Sequence, residues 1–189
     1  MSLGLLMDEY LKKTGSERIE LIDDELILRP PRVFEQMEVI HNLYGALLDW
    51  KQSHPFTVYS TGAFAYVHTE NRDLVLSCFV PDLIIISSDR LKLYKQENPD
   101  FARRLLCLIP EVVIEVDSRL ETEDLRQRRL QHYLGLGVKM IWSISAQQKR
   151  ILIHSLNHQS IILNHDDVLI GGDMLPDLEI KVSALFTPL

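Results

Sequence analysis

The chain has 189 residues, 46% of them hydrophobic and 25% charged, with 27 acidic against 20 basic side chains and a net charge of −7. That balance fits one soluble globular domain over residues 1–189, and it excludes a protein that holds nucleic acid by bulk positive charge. Residues 1–9 lack the basic start of a signal peptide, and no run approaches the roughly 18 apolar residues of a membrane span. Cys78 and Cys107 stand apart without a CxxC pattern, which predicts buried thiols in a reducing cytoplasm rather than a zinc site.

In chain order, the spacing predicts a short amphipathic helix over 7–14 with Gly15 as its stop. Residues 18–22 and 25–28 alternate around Asp23-Asp24 as a hairpin, and Pro30-Pro31 ends it. Val33, Met37, Ile40, Leu43, Tyr44, Leu47 and Leu48 fall at helical period, giving a helix to about residue 51 with one broad buried face. Strands are expected over 56–59, 63–68 and 74–79, the first two separated by Ser60-Thr61-Gly62. The stretch 89–108 reads as helical in its second half, from Asn98-Pro99-Asp100 through Phe101, Leu105 and Leu108. A second clear helix spans 122–135, closed by Gly135 or Gly137. Strands follow over 139–145 and 150–155, and 160–163 is expected to pair with 168–170. Gly171-Gly172 reads as a turn, Trp50 and Trp142 as core, and the tail is packed by Leu185 and Phe186.

Two apolar runs within residues 80–118 carry the chemistry. Phe79-Val80-Pro81-Asp82-Leu83-Ile84-Ile85-Ile86 and Pro110-Glu111-Val112-Val113-Ile114-Glu115-Val116-Asp117-Ser118 are short and β-branched, as strands buried on both faces are. A carboxylate in a dry sheet costs several kcal/mol, or shifts its pKa, unless a cation or donors meet it. Asp82 and Glu115 on neighbouring strands therefore suggest a site for a hard divalent cation, Mg²⁺ or Mn²⁺. Asp117 shares the face of Glu115 at i+2, as a further ligand or as a repelling charge. On the 122–135 helix Leu125, Arg129 and Tyr133 fall on one face, so Arg129 points inward and needs an anion, Glu115 or a substrate phosphate. Arg128 follows Asp124 by four residues as a surface ion pair. His154 and His158 lack helical zinc spacing and read as surface residues.

The pattern Pro81-Asp82, a long gap, then Glu115 on a buried strand followed by a helix resembles the PD-(D/E)XK nuclease superfamily. The chain is most similar to a bacterial branch of it abundant in photosynthetic bacteria. The likeness also takes in residues 20–26, Pro30-Pro31, Asn42-Leu43-Tyr44, Ser60-Thr61-Gly62 and 133–138. It implies a mixed α/β domain with a restriction-endonuclease-like central sheet flanked by helices. It also implies a metal-dependent endonuclease acting on DNA, and a homodimer. Asp82 and Glu115 would hold the metal, aided by a carbonyl near Val116, and an extra acid from Glu20, Glu35 or Glu38 would reach the site. Two positions depart from the pattern. Asp117 stands where the superfamily has Lys, and Arg129 stands where this branch places a helix Lys four residues before the Tyr. Arg keeps the charge but cannot act as a titrating base. Two rivals remain: a degenerate member that binds nucleic acid or protein without cutting, and an interaction protein in which the same residues are only an ion network.

Overall fold

A computed structural model describes residues 4–15, 17–60, 62–156 and 159–187. Thr61 of the expected turn and His158 of the histidine pair lie outside the described residues. Strand β1 (Leu5–Leu6) leads into helix α1 (Met7–Thr14), which ends where Gly15 turns to φ 54°. The hairpin of β2 (Ile19–Ile22) and β3 (Glu25–Leu28) is closed by Asp23 and Asp24 at φ 51° and 65°. A two-residue turn of that hand needs positive φ at both positions, which Asp tolerates through its short polar side chain.

Helix α2 (Phe34–Trp50) is followed by β4 (Phe56–Ser60), β5 (Phe64–Val67), β6 (Leu74–Phe79) and β7 (Leu83–Ser87). Then come α3 (Ser88–Glu97), β8 (Val112–Val116), α4 (Glu123–Gly135), β9 (Met140–Ser145) and β10 (Arg150–Ser155). The short strands β11 (Ile161–Leu163), β12 (Val168–Ile170) and β13 (Glu179–Lys181) complete the order. Among the described residues, a six-stranded sheet runs β11-β10-β9-β8-β7-β4, with β8 and β9 parallel and the other pairs antiparallel. A second sheet joins β1, β6, β2 and β3, with β5 on β6. The fold is mixed α and β, with a central sheet covered on both faces.

Alternation along β8 shows how the faces divide. Val112, Ile114 and Val116 pack with Val39, Leu43 and Leu47 of α2 and with Trp142. Val113 packs the other way, with Ile84, Ile86, Tyr133 of α4 and Ile22 of the second sheet. Successive strand residues point to opposite faces, so Glu115 shares the Val113 face and Asp82 the Ile84 face. The two carboxylates therefore lie between the central sheet, α4 and the β2–β3 hairpin.

Three expectations are corrected. Residues 88–97 form the helix, whereas 98–108 make only a 3-10 turn at Phe101–Arg103, because Pro99 stops α3 and the segment then extends to join β5 through a Phe64–Leu106 bridge. β11 and β12 do not pair with each other: β11 adds to β10, and β12 pairs with β13 of the tail. On α2 the buried residues are Gln36, Val39, Leu43 and Leu47, while Val33 and Met37 are more than half exposed, at 53% and 54%. The rotation brings the Gln36 amide inward, where Nε2 donates to the Asp117 carbonyl. Trp142 is fully buried, whereas Trp50 is half-buried, stacks on His54 at 4.7 Å and donates to the Pro176 carbonyl.

The turn at Gly171-Gly172 separates two kinds of glycine. A Cβ on Gly171 would lie 2.2 Å from the Leu175 carbonyl oxygen, whereas Gly172 faces open space at φ 58°. Gly171→Ala is expected to destabilise by about 2 kcal/mol or more through backbone overlap, and Gly172→Ala by only about 1 kcal/mol. Urea unfolding of both variants checks the order; equal losses would contradict it.

Candidate active site

Asp82 and Glu115 come together because of strand register. Leu83 pairs with Ile114, so the next positions along, Asp82 and Glu115, stand opposite each other, and the Asp82 amide donates to the Ile114 carbonyl at 3.1 Å. Both side chains are buried. Val116 N–H donates to Asp82 Oδ2 at 2.8 Å, and the Tyr133 hydroxyl donates to Glu115 Oε1 at 2.7 Å. Tyr133 is held in turn by Phe79 and Phe64, with ring centroids 5.0 and 5.9 Å away.

Four arginines meet the acids. Arg32 clasps Asp82 with Nε on Oδ1 at 2.8 Å and Nη2 on Oδ2 at 2.6 Å, and its Nη1 donates to the Val116 carbonyl at 2.9 Å. Arg18 donates to the same Asp82 at 3.2 Å and to the Val80 carbonyl at 2.9 Å. Arg29 binds Glu115 Oε2 at 2.6 Å and approaches Glu20 at 3.6 Å and Glu121 at 3.9 Å. Arg129 donates through Nε to Glu20 at 2.8 Å and through both terminal nitrogens to Glu121. Four carboxylates thus face four guanidiniums.

The sequence-predicted residues fall into this frame as follows. Asp82, Glu115, Glu20 and Arg129 share the cluster, with Glu20 fully buried and also accepting from the Val80 amide at 3.0 Å. Arg129 points inward, but its direct partners are Glu20 and Glu121 rather than Glu115. Glu35 faces solvent beside Arg119 at 3.6 Å, and Glu38 makes no ion pair among the described residues. Arg128 pairs with Asp23 and Glu25 of the hairpin instead of Asp124. His154 bonds Ser160 on the sheet edge, away from the cluster. Sequence reasoning missed Arg18, Arg29, Arg32, Glu121 and Gln36. The available signal was Arg29-Pro30-Pro31-Arg32, two cations flanking a rigid step directly after a hairpin.

The charges set one another's protonation. Burial opposes ionisation of Glu115, yet Arg29, Arg129, the Tyr133 hydroxyl and Arg32 outweigh it and hold the carboxyl down at about 2. Burial raises the Asp82 carboxyl above its ordinary value, with the Glu115 charge adding, against Arg32, the Val116 amide and Arg18. Burial works against Arg129 and Arg29 as well, but Glu115 and Glu20 hold both guanidiniums above their usual range. Asp117, at the open side, is pushed up to about 6, first by burial and then by Glu115, Glu121 and Glu123, against the pull of Arg126.

The donors suit a hard divalent cation: two carboxylates and the Val116 carbonyl are oxygen ligands converging on one place. Among the described residues no three His, Cys, Asp or Glu side chains are grouped to hold a metal. A cation here would therefore draw on Asp82, Glu115, that carbonyl and water. Beside the cluster lies a water-sized cavity of about 30 Å³ bounded by Glu115, Asp117, Glu121, Arg129, Tyr133 and Ser143. A wider groove of about 730 Å³ reaches Asp117 and Glu121 from the surface, with Arg119, Arg126 and Arg150 on its walls.

Two paired strands that present acids at one end, followed by a helix with an inward cation, are the arrangement expected of a restriction-endonuclease-like protein, and the family comparison agrees. The chain belongs to the Uma2 family, described as "Putative restriction endonuclease", whose model matches residues 7–183. Its fold is similar to the solved structure of "a putative nuclease belonging to DUF820 from Anabaena variabilis ATCC 29413". The two share 16% identity over 96% of this chain and 97% of that chain, with a TM-score of 0.77, a likeness of fold. No curated protein matches the chain.

Asp117 generates a test by its sign. An unfolded Asp titrates near 3.9, so its raised folded value contributes stability that is fully present below about pH 4 and lost as pH rises through about 6. Asp117→Asn should be more stable than wild type at pH 7, by up to about 3 kcal/mol, and should converge with it near pH 4. Urea unfolding of both proteins from pH 4 to 7.5 measures this; a constant difference across that range would rule it out.

Proposed function

We propose that the chain is a divalent-metal-dependent endonuclease that hydrolyses DNA phosphodiester bonds at the Asp82–Glu115 end of the central sheet. The observation that supports it is the convergence of Asp82, Glu115 and the Val116 carbonyl on one place, in a chain of this family. Mg²⁺ or Mn²⁺ held by those three groups would supply Lewis acidity toward the scissile phosphate and the attacking water. The chain's own residues do the rest. Tyr133 and Arg29 fix the rotamer of Glu115 and keep it ionised. Arg129 neutralises Glu20 and Glu121 behind it, so that the added charge of a phosphate meets no excess of carboxylates. Glu20 acts as a positioning acid, anchoring Arg129 and the Val80 turn that precedes Asp82. Asp117 bounds both the water-sized cavity and the groove, where it is a candidate further ligand or proton acceptor.

With a net charge of −7, DNA would need a local surface, and the groove that ends at Asp117 is the candidate: Arg119, Arg126 and Arg150 line it together with Glu35, Glu121 and Glu123, so its charges are mixed. We place the protein in the cytoplasm as a homodimer of one nuclease-like domain per chain. No helix among the described residues is long and apolar enough to cross a membrane.

A second reading draws on the complete pairing of Asp82 and Glu115 with arginines. In it the chain is a catalytically degenerate member that binds nucleic acid or protein as a homodimer. Supercoiled plasmid and labelled single- and double-stranded oligonucleotides, each with Mn²⁺ or Mg²⁺, separate the two. Metal-dependent nicking is expected, falling about 100-fold or more in Asp82→Asn and Glu115→Gln variants that still fold. DNA retention without cleavage on every substrate would favour the second reading.

A further inference from the structure

The place where three oxygen donors converge already holds a cation that belongs to the chain. Arg32 reaches both Asp82 oxygens at 2.8 and 2.6 Å and the Val116 carbonyl at 2.9 Å, and its Nη2 lies 3.9 Å from Glu115 Oε2. One guanidinium therefore covers every protein group assigned above to a divalent ion. A guanidinium and a metal ion cannot share those lone pairs, because Asp82 Oδ2 already accepts from both Arg32 and the Val116 amide.

We propose that Arg32 is an internal competitor for the metal site: it holds Asp82, Glu115 and the Val116 carbonyl in position, and it must leave them for a divalent cation to bind. The proposal rests on the metal-site reading given under the proposed function. Arg32 is suited to leave in a way that Arg29 and Arg129 are not, and Arg18, 26% exposed, meets Asp82 through a single longer contact and touches neither of the other two donors. The side chains of Arg29 and Arg129 are 2% and 3% exposed, locked between sheet and helix, whereas that of Arg32 is 10% exposed. It comes from the irregular segment between β3 and α2, next to Pro31 and one residue before Val33 at the groove wall. Asp82 is not orphaned by its departure, since Arg18 at 3.2 Å and the Val116 amide at 2.8 Å remain.

Charge makes the exchange directional. With Arg32 in place the four acids and four guanidiniums balance. With Arg32 turned to solvent and a divalent ion in its stead, the cluster carries one net positive charge. The site then attracts a phosphate only once loaded, and the released guanidinium stands at the groove where a phosphate would approach.

Calorimetric titration of Mn²⁺ into wild type, Arg32→Ala and the Arg32→Ala/Asp82→Asn double variant tests this. Arg32→Ala should bind about tenfold or more tightly than wild type, and the double variant should lose that gain. Equal affinity in wild type and Arg32→Ala removes Arg32 as competitor and leaves the metal site standing. No binding in either removes both readings together. Should Arg32→Ala fail to fold, wild type alone decides, through Mg²⁺ titration followed by the arginine Nε–H resonances in ¹⁵N-labelled protein. The Arg32 signal should move to a solvent-exposed position as the ion binds while that of Arg29 stays. Ion binding with the Arg32 signal unmoved overturns the proposal.

Discussion

Charge neutrality in a nearly dry space governs this molecule. Glu20, Asp82, Glu115 and Glu121 are buried between two sheets and a helix, where a lone carboxylate would cost several kcal/mol. Arg18, Arg29, Arg32 and Arg129 meet them, and nearly every contact crosses from one structural layer to another. The hairpin supplies Glu20, Arg29 follows directly on it, the central sheet supplies Glu115, and α4 supplies Arg129. The cluster is therefore both the site and the fastening between layers. Removing one partner from such a network is costly because it strands the others, about 3–5 kcal/mol for a buried pair.

That double role explains why the surroundings are specified so tightly. Tyr133 is clamped by two phenylalanines so that its hydroxyl can reach Glu115. Gln36 turns α2 so that its amide reaches the loop after β8, and its Oε1 accepts from the Val33 amide at 3.0 Å. Each of these gives up something local. α2 leaves Val33, Phe34 and Met37 facing solvent, and the Arg29 Nε and Nη1 atoms find no hydrogen-bond acceptor within range. Electrostatic preorganisation outranks ideal packing here, as it does where a site must be stiff before a ligand arrives.

Much of this was legible in the sequence, and the exceptions have physical causes. α1, α2 and α4 follow from apolar period and end signals, and β7 and β8 from their β-branched runs. α3 was misplaced because its residues are mostly polar, with Leu91 and Tyr94 its only buried positions, while Phe101, Leu105 and Leu108 mimic helical spacing in a segment that makes only one 3-10 turn, Phe101–Arg103, before it extends. β11 and β12 suggested a hairpin because a good turn joins them, in which Asp167 accepts from the Asn164 amide, yet tertiary pairing drew each strand elsewhere. In the cluster, acids within apolar runs stood out. Arg129 stood out by its helix face, but Arg18, Arg29 and Arg32 did not, because an arginine in a polar loop looks the same whether it will be solvated or buried. Partner identity is set by register and by the angle of the hairpin, which no local pattern encodes.

The spacing of the ion pairs along the chain bears on how the protein is made. Arg32 meets Asp82 50 residues later, Arg29 meets Glu115 86 residues later, and Glu20 meets Arg129 109 residues later. On the ribosome the hairpin and its arginines emerge well before the acids of the central sheet, and α4 arrives later still. These contacts are the slow, long-range kind. Until they close, Glu20, Arg18 and Arg29 have only water as partner. The same residues that unite the finished layers are thus far apart in the chain, and the cluster is complete only when α4, the last contributor in sequence, is in place.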